Sequence, residues 1–340
     1  MSSTVYVGID PAAESFTASY FLKPGSSKTA PTPFENSEAG LADLEAWLGA
    51  EGVQFRNVHF CIENTGVYSE IIAYQLHRRR RKLSLLDPRT VWKAFGDGQP
   101  KNDPLDSRRI AEYGFRYADV LRLWQPQEVI IEQIRVILST REQLVQQKTA
   151  TQNARATLAR KVIQTPAANE ALETTLAHLK AQVDALTEEL KRLIRSQPTL
   201  MQGASILMSA PGVSWLLSGH LIVITRGFSE IPSYRTLAQY LGISPNEHSS
   251  GTSVRKRDRS RRYGPATVRK LLHLAARSLR THHPGFQRYF LEKTAAGKPK
   301  PLVLNNIANK LLKQLCAMMR SATPYNPDHR SINPRHLALA

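Results

Sequence analysis

Between Pro166 and Pro198 the apolar residues Leu172, Leu176, Leu179, Val183, Leu186, Leu190 and Leu193 recur at alternating spacings of four and three. That is an a/d seam about three heptads long. One helix cannot bury such a stripe alone, so a second helix must run along it. The preceding stretch, Glu128 to Val162, has no Pro or Gly and also reads as helix. A coiled-coil arm or an antiparallel helical hairpin follows, and self-association as a dimer or tetramer is expected. At 340 residues the chain is long enough for two or three compact units. The arm divides it into residues 1–125, 126–198, 199–323 and a loose tail over 324–340.

The first segment alternates strands and helices. Val5-Tyr6-Val7-Gly8-Ile9-Asp10 is an apolar run ending in a carboxylate, and Ser15 to Phe21 alternates like a strand. A helical pattern opens at Ser37 and runs through Leu44, Trp47 and Leu48. Val58-His59-Phe60-Cys61-Ile62-Glu63 is a second apolar run that ends in a carboxylate. Tyr68 to Leu76 reads as helix, a basic run Arg78–Lys82 follows, and Leu83 to Leu86 is a further strand. This order predicts an α/β sheet domain. Lys101-Asn102-Asp103-Pro104-Leu105-Asp106 opens another helix. Its acids have a purely local explanation: Asp103 is a good N-cap, Pro104 suits the first helical position, and Asp106 suits the first turn. Metal binding is the alternative.

After the arm the pattern becomes helical and basic. Ile206 to Ser214 followed by Leu216, Leu217, Leu221 and Ile222 reads as helix, Pro-Gly turn, helix. It is either a helix-hairpin-helix element able to hold a phosphate or a plain helical hairpin. Tyr234 to Leu241 is a short helix, and amphipathic helices are expected over Pro265–Leu279 and Leu302–Met319. From Gly251 onward there are nineteen Lys and Arg against three Asp and Glu, so this region carries +16 of the chain's net +18. A polyanion is the natural partner, with nucleic acid first among them. No run of about 18 apolar residues suggests a membrane span. Met1-Ser2-Ser3-Thr4 lacks the layout of a signal peptide. Cys61 and Cys316 make neither a disulfide framework nor a zinc site. The expected setting is the cytoplasm.

Two groups of residues carry chemistry. Asp10 and Glu63 end strands, and Asp103 and Asp106 lie one helical turn apart. Carboxylates at the ends of neighbouring strands converge on one sheet edge, where open α/β sheets keep their sites. Hard oxygen donors of this kind favour Mg²⁺ or Mn²⁺, and phosphoryl transfer on nucleic acid commonly uses two such ions. The second group is Glu247-His248-Ser249-Ser250-Gly251, two hydroxyls on a Gly turn ahead of Arg255, Lys256, Arg257, Arg259, Arg261 and Arg262. A serine needs a base, a metal or positive charge to act as a nucleophile. His248 is the only nearby base, and it reads equally well as a solvated loop histidine. The basic loop is either a phosphate clamp or a solvated loop.

Taken together, Val5–Asp10, Ile62-Glu63-Asn64-Thr65-Gly66-Val67-Tyr68, Lys101–Asp106, Ala210-Pro211-Gly212-Val213 and Tyr240-Leu241-Gly242-Ile243-Ser244-Pro245 with Ser249-Ser250-Gly251 resemble the DEDD transposases of insertion sequences. These are bridge-RNA-guided recombinases related to the pilin-gene invertase. The resemblance runs from about Val5 to about Ala322. It implies an RNase H-like (RuvC-like) N-terminal domain with a metal-binding tetrad at Asp10, Glu63, Asp103 and Asp106, a coiled-coil middle, and a C-terminal domain whose nucleophile is Ser250. It further implies a covalent phosphoserine link to DNA, an active site shared between protomers of a tetramer, and a structured RNA that pairs with donor and target DNA. The usual Lys-Thr-Asp-x-x-Asp-Ala reads here as Lys101-Asn102-Asp103-Pro104-Leu105-Asp106-Ser107, which keeps both acids. Ser249 is a rival nucleophile. The competing functions are a metal-dependent nuclease resembling a junction resolvase, with Ser250 a bystander, and a non-catalytic nucleic-acid-binding protein.

Overall fold

The computed structural model describes residues 4–22, 31–95, 103–250, 254–260 and 264–327, with only the backbone of 103–105, 245–250 and 254–260. It divides into two compact units, Met1–Pro126 and Gln127–Ala340. Among the described residues no helix is long and apolar enough to cross a membrane.

The first unit is built on a five-stranded sheet. In chain order its elements are β1 (Val5–Pro11), β2 (Ser15–Phe21), β3 (Thr32–Glu35), α1 (Glu38–Ala50), β4 (Val58–Glu63), α2 (Val67–Arg78), β5 (Lys82–Leu86), α3 (Pro88–Ala94) and α4 (Asp103–Arg116). The strand order is β3-β2-β1-β4-β5. β1, β2 and β3 pair antiparallel, while β1, β4 and β5 are parallel. Strand alternation sorts the side chains between two faces. Val5, Val7, Ile9, Phe60, Ile62 and Leu83 join Leu41, Leu44, Leu48, Ile72 and Leu76 of α1 and α2 in one core. Cys61 on the other face packs with Ile110 and Tyr113 of α4 and Val91 of α3. Burial pushes the Cys61 thiol up to about 12, so it stays protonated and inert. Ser37 caps α1 by accepting from the Gly40 N–H at 3.2 Å.

The second unit is helical with one hairpin. It comprises α5 (Val129–Leu158), α6 (Pro166–Ser196), α7 (Pro198–Met208), α8 (Trp215–Ile224), α9 (Tyr234–Tyr240), β6 (Pro245–Ser250), β7 (Val254–Ser260), α10 (Ala266–His282), α11 (Pro284–Ala295) and α12 (Lys300–Ser321). The heptad seam finds its partner within the chain. Leu190 and Leu193 share a core with Ile131, Ile134 and Leu138 of α5. Further along, Arg141 donates to Thr187 at 2.8 Å and Arg155 pairs with Glu173. Positions rising along α5 meet positions falling along α6, so the pair is an antiparallel hairpin.

Where a strand pair stands in place of the expected loop, the reason is hairpin chemistry. Ser249 and Ser250 lie at the end of β6, and the basic run through Ser260 forms β7. The two strands pair antiparallel, with Ser250 opposite Val254 and Ser249 opposite Arg255, so backbone bonds to β6 hold the basic run extended. The segment expected as a tail begins with anchored backbone. The Tyr325 N–H donates to Ser209 Oγ at 2.8 Å, and the Tyr325 hydroxyl lies 2.9 Å from His283 Nε2.

Inside the second unit, burial lowers the His220 pKa to about 4, against a smaller upward pull from Glu142 and with a downward push from Arg141. The folded form therefore binds fewer protons than the unfolded chain between about pH 6.5 and 4. Stability is fully present above pH 6.5 and falls as pH drops through that window, by at most about 3 kcal/mol. Urea denaturation at pH 7.5 and 4.5 checks this: the loss on acidification is expected to shrink in His220→Gln.

Candidate metal-dependent nucleic-acid site

The carboxylates of the first unit are placed by the way α4 lies on β1. Gly8 faces α4, and a Cβ there would stand 2.1 Å from the Ser107 carbonyl oxygen and 2.4 Å from the Ala111 nitrogen. Ser107 Oγ bonds Ser19 Oγ of β2 at 2.8 Å, and Ser19 is the residue paired with Gly8. At the other end of the helix, Phe115 meets Tyr6 edge-on at 6.1 Å and Phe21 at 5.2 Å. Helix α4 thus runs against the direction of β1, with its first turn toward the strand's C-terminal end.

Asp10 shares a face with Tyr6 and Gly8, the face that α4 covers. The parallel register pairs Gly8 with Cys61 and Ile9 with Ile62, so Asp10 and Glu63 occupy the next level on adjacent strands, about 4.8 Å apart in backbone. Both are half-buried. Asp103 lies about one helical turn, or 5.4 Å, beyond Ser107, and Asp10 lies two residues, about 6.6 Å, beyond Gly8. The N-terminus of α4 therefore reaches the sheet edge that carries Asp10 and Glu63. The Asp106 side chain is 29% exposed and accepts from Arg109 at 3.3 Å. The Asp103 side chain lies outside the described residues. Among the described residues no group of three or more His, Cys, Asp or Glu is arranged to hold an ion.

The loops leaving the two strands are tied together at the same edge. Buried Asn36 donates through Nδ2 to the Ala12 carbonyl at 2.8 Å and to the Tyr68 carbonyl at 2.9 Å. Thr65 Oγ1 donates to the Pro11 carbonyl at 3.4 Å. Gly66 starts α2 at φ 73°, a left-handed conformation that favours glycine. Nothing in the pattern around Asn36 distinguishes it from a helix-preceding turn residue, and only the fold reveals its bridging role.

In the second unit Ser250 pairs with Val254, Ser249 with Arg255 and His248 with Lys256, with a bulge between Asn246 and His248. Ser250 is the last strand residue before the connection, at the far end of the ribbon from its base. The base is fixed from two sides. The amides of Asn305 and Asn309 on α12 both donate to the Ile243 carbonyl, at 3.0 and 2.9 Å. Arg269 on α10 donates to the carbonyls of Leu241 and Gly264, at 3.1 and 3.0 Å. The side chains of Ser250, Arg255, Lys256, Arg257 and Arg259 lie outside the described residues, as do Arg261 and Arg262 altogether.

A transposase family model of the DEDD IS110 type matches residues 7–164, and the model for the transposase IS116/IS110/IS902 family matches residues 204–291. The chain belongs to this transposase family. The pilin gene-inverting proteins of Moraxella lacunata and Moraxella bovis are each 26% identical to it over 332 residues, covering 95% of this chain and 98% of theirs. The IS110 insertion element 43.6 kDa protein of Streptomyces coelicolor is 27% identical over 154 residues, 45% of this chain and 37% of that protein.

As a donor set the transposase carboxylates fit a hard divalent ion: they are all oxygen ligands, without Cys or His among them. Asp10 and Glu63 stand side by side on adjacent strands, at the edge that the backbone at the start of α4 approaches. Since α4 reaches that edge only across Gly8, Gly8→Val is expected to cost stability by more than about 1–3 kcal/mol. Chemical denaturation of the variant checks this, and a midpoint equal to the wild type would contradict the seating of α4.

Proposed function

We propose that this transposase cuts and rejoins DNA through Ser250, with Asp10, Glu63, Asp103 and Asp106 holding Mg²⁺ or Mn²⁺ in an RNase H-like (RuvC-like) first domain. The observation that carries the reading is the meeting of Asp10, Glu63 and the start of α4 at one sheet edge. Bound there, a divalent ion supplies positive charge to phosphate oxygens during displacement. Ser250 Oγ attacks a DNA phosphorus; the Oγ–P bond forms, the bond from phosphorus to a deoxyribose oxygen breaks, and that oxygen takes up a proton while the serine loses one. The resulting phosphoserine conserves the phosphodiester, and a free hydroxyl of another strand attacks it to reseal DNA and release Ser250. No external energy source is needed.

The position of Ser250 at a hairpin tip favours access to a duplex, since a two-stranded ribbon is narrow enough to enter a major groove. Arg255, Lys256, Arg257, Arg259, Arg261 and Arg262 then serve as phosphate contacts. The names of the pilin gene-inverting relatives support rearrangement of DNA over simple degradation. Sequence choice falls to a structured guide RNA that pairs with donor and target, the protein gripping backbones, and protomers of a dimer or tetramer jointly supply serines and carboxylates. In this reading residues 1–125 are the metal-dependent domain, 126–198 the arm and 199–323 the serine domain.

Denaturing gels of labelled DNA incubated with protein, Mg²⁺ and the RNA encoded beside the gene test it. The wild type is expected to yield protein-linked DNA, Ser249→Ala to retain it and Ser250→Ala to abolish it. Asp10→Asn, or removal of the metal with a chelator, is expected to slow formation on the order of 10²–10³-fold. DNA cut without a protein link, or strand exchange by Ser250→Ala, would instead indicate a resolvase-like nuclease or another nucleophile. Intact DNA under all conditions would indicate a binding protein.

A further inference from the structure

The second unit holds a cavity of about 390 Å³ where α11 begins, lined by residues of α11 and α12, by His283 and by the segment Tyr325 to Pro327, and by none of the proposed catalytic residues. Two of its lining residues, His283 and Gln314, each carry a buried side-chain atom, Nδ1 and Oε1, that has no hydrogen-bond partner among the described residues. An unpaired buried polar atom typically costs about 1–3 kcal/mol. Two among the lining residues suggest a polar ligand. The His283 ring is held from its other side by the Tyr325 hydroxyl at 2.9 Å and packs edge-on against Phe286 at 5.1 Å.

The mouth is cationic. Arg288 and Lys310 line it, with Glu292 as the one acid. The Lys310 ammonium lies 4.2 Å from the centre of the Tyr289 ring, and that of Lys293 lies 5.8 Å from the same ring. Loss of hydration lowers the Lys310 pKa, and the neighbouring charges of Lys293 and Lys313 lower it further. An anion placed there would relieve that repulsion. The start of α11 adds donors: the first bond into the helix is from the Gln287 N–H to the His283 carbonyl at 2.9 Å, Pro284 has no N–H, and those of Gly285 and Phe286 belong to the unpaired first turn. Arg and Lys exclude a metal ion as occupant, and a mouth with two cations disfavours an apolar one.

We propose that this cavity takes one unpaired nucleotide, with its phosphate at Arg288, Lys310 and the α11 N-terminus and its base against the Phe286–Tyr289 wall. Rotation of the Gln314 side chain on binding then lets Oε1 accept from a base amino group or a sugar hydroxyl. The cavity lies within the range of small-ligand sites, which begins at about 300 Å³. Aromatic and cationic walls are also what single-stranded nucleic acid uses. The inference rests on the nucleic-acid reading of the function and adds to it a site built from other residues.

The full-length Ser250→Ala protein serves for the test, with fluorescence anisotropy of labelled, unstructured ten-nucleotide RNA and DNA strands at several salt concentrations. Arg288→Ala/Lys310→Ala is expected to weaken binding at least tenfold and to reduce the salt slope by about 0.7, the share of the one phosphate held there. Gln314→Leu is expected to weaken it threefold or more without changing the slope. The control Lys298→Ala/Lys300→Ala removes the same charge outside the cavity and is expected to have a smaller effect. A Gln314→Leu loss confined to RNA assigns the contact to the 2′-hydroxyl, and a loss on both strands assigns it to the base. Normal binding by Gln314→Leu, equal losses in the control and the Arg288/Lys310 pair, or no strand binding at all would overturn the pocket. Circular dichroism confirms that each variant is folded. Capture of protein-linked DNA by the Ser250-bearing protein is read separately, so either reading can fail without the other.

Discussion

The seating of α4 on β1 is the contact from which the geometry of the first unit follows. Helix backbone lies against strand backbone where Gly8 presents no side chain, and the Ser19–Ser107 hydrogen bond joins the same helix to the neighbouring strand. Neither contact contributes much apolar area. Together they fix how far along the sheet the helix sits, and a shift of one turn would carry its acids about 5.4 Å from the strand ends. The larger apolar core on the opposite face, around Phe60, Ile62 and Leu44, supplies the stability that lets this narrow, partly polar contact set the position.

The second unit separates support from presentation in a different way. Its helices bury a continuous core from Leu207 to Met319, while the β6–β7 ribbon pairs with no further strand among the described residues. A lone two-stranded ribbon is marginal in water. Here the stability comes from its root, where α10 and α12 donate to backbone carbonyls on either side of the ribbon. The α5–α6 pair follows the same logic on a larger scale: its base is buried among α7 and α8, and its outer half pairs through partly exposed residues such as Leu172 and Leu176.

Much of this arrangement was legible in the sequence because it depended on periodicity or on where a strand ends. The a/d seam from Leu172 to Leu193 required a helical partner, and the runs ending at Asp10 and Glu63 marked neighbouring strand termini. Periodicity left open whether the partner helix came from the same chain, which the pairing of Arg141 with Thr187 answers. Other features escaped because their cause is tertiary. The run from Arg255 to Ser260 has the composition of a solvated loop, and its strand form depends on a backbone partner in β6. Gly8 sits in an apolar run where any small residue would fit the pattern, and only the approach of Ser107, 99 positions later, makes its missing side chain necessary. Helix α11 follows α10 with only His283 between them, so the two amphipathic patterns merge on reading.

Two side-chain amides on one helix converge on the carbonyl of Ile243, two residues before β6 begins. Asn305 and Asn309 are one turn apart, so the carbonyl is gripped between two points of a 22-residue helix. The point at which the chain enters β6 is thereby registered to α12, whose other face is buried in the helical core, and not to the two strands of the ribbon themselves.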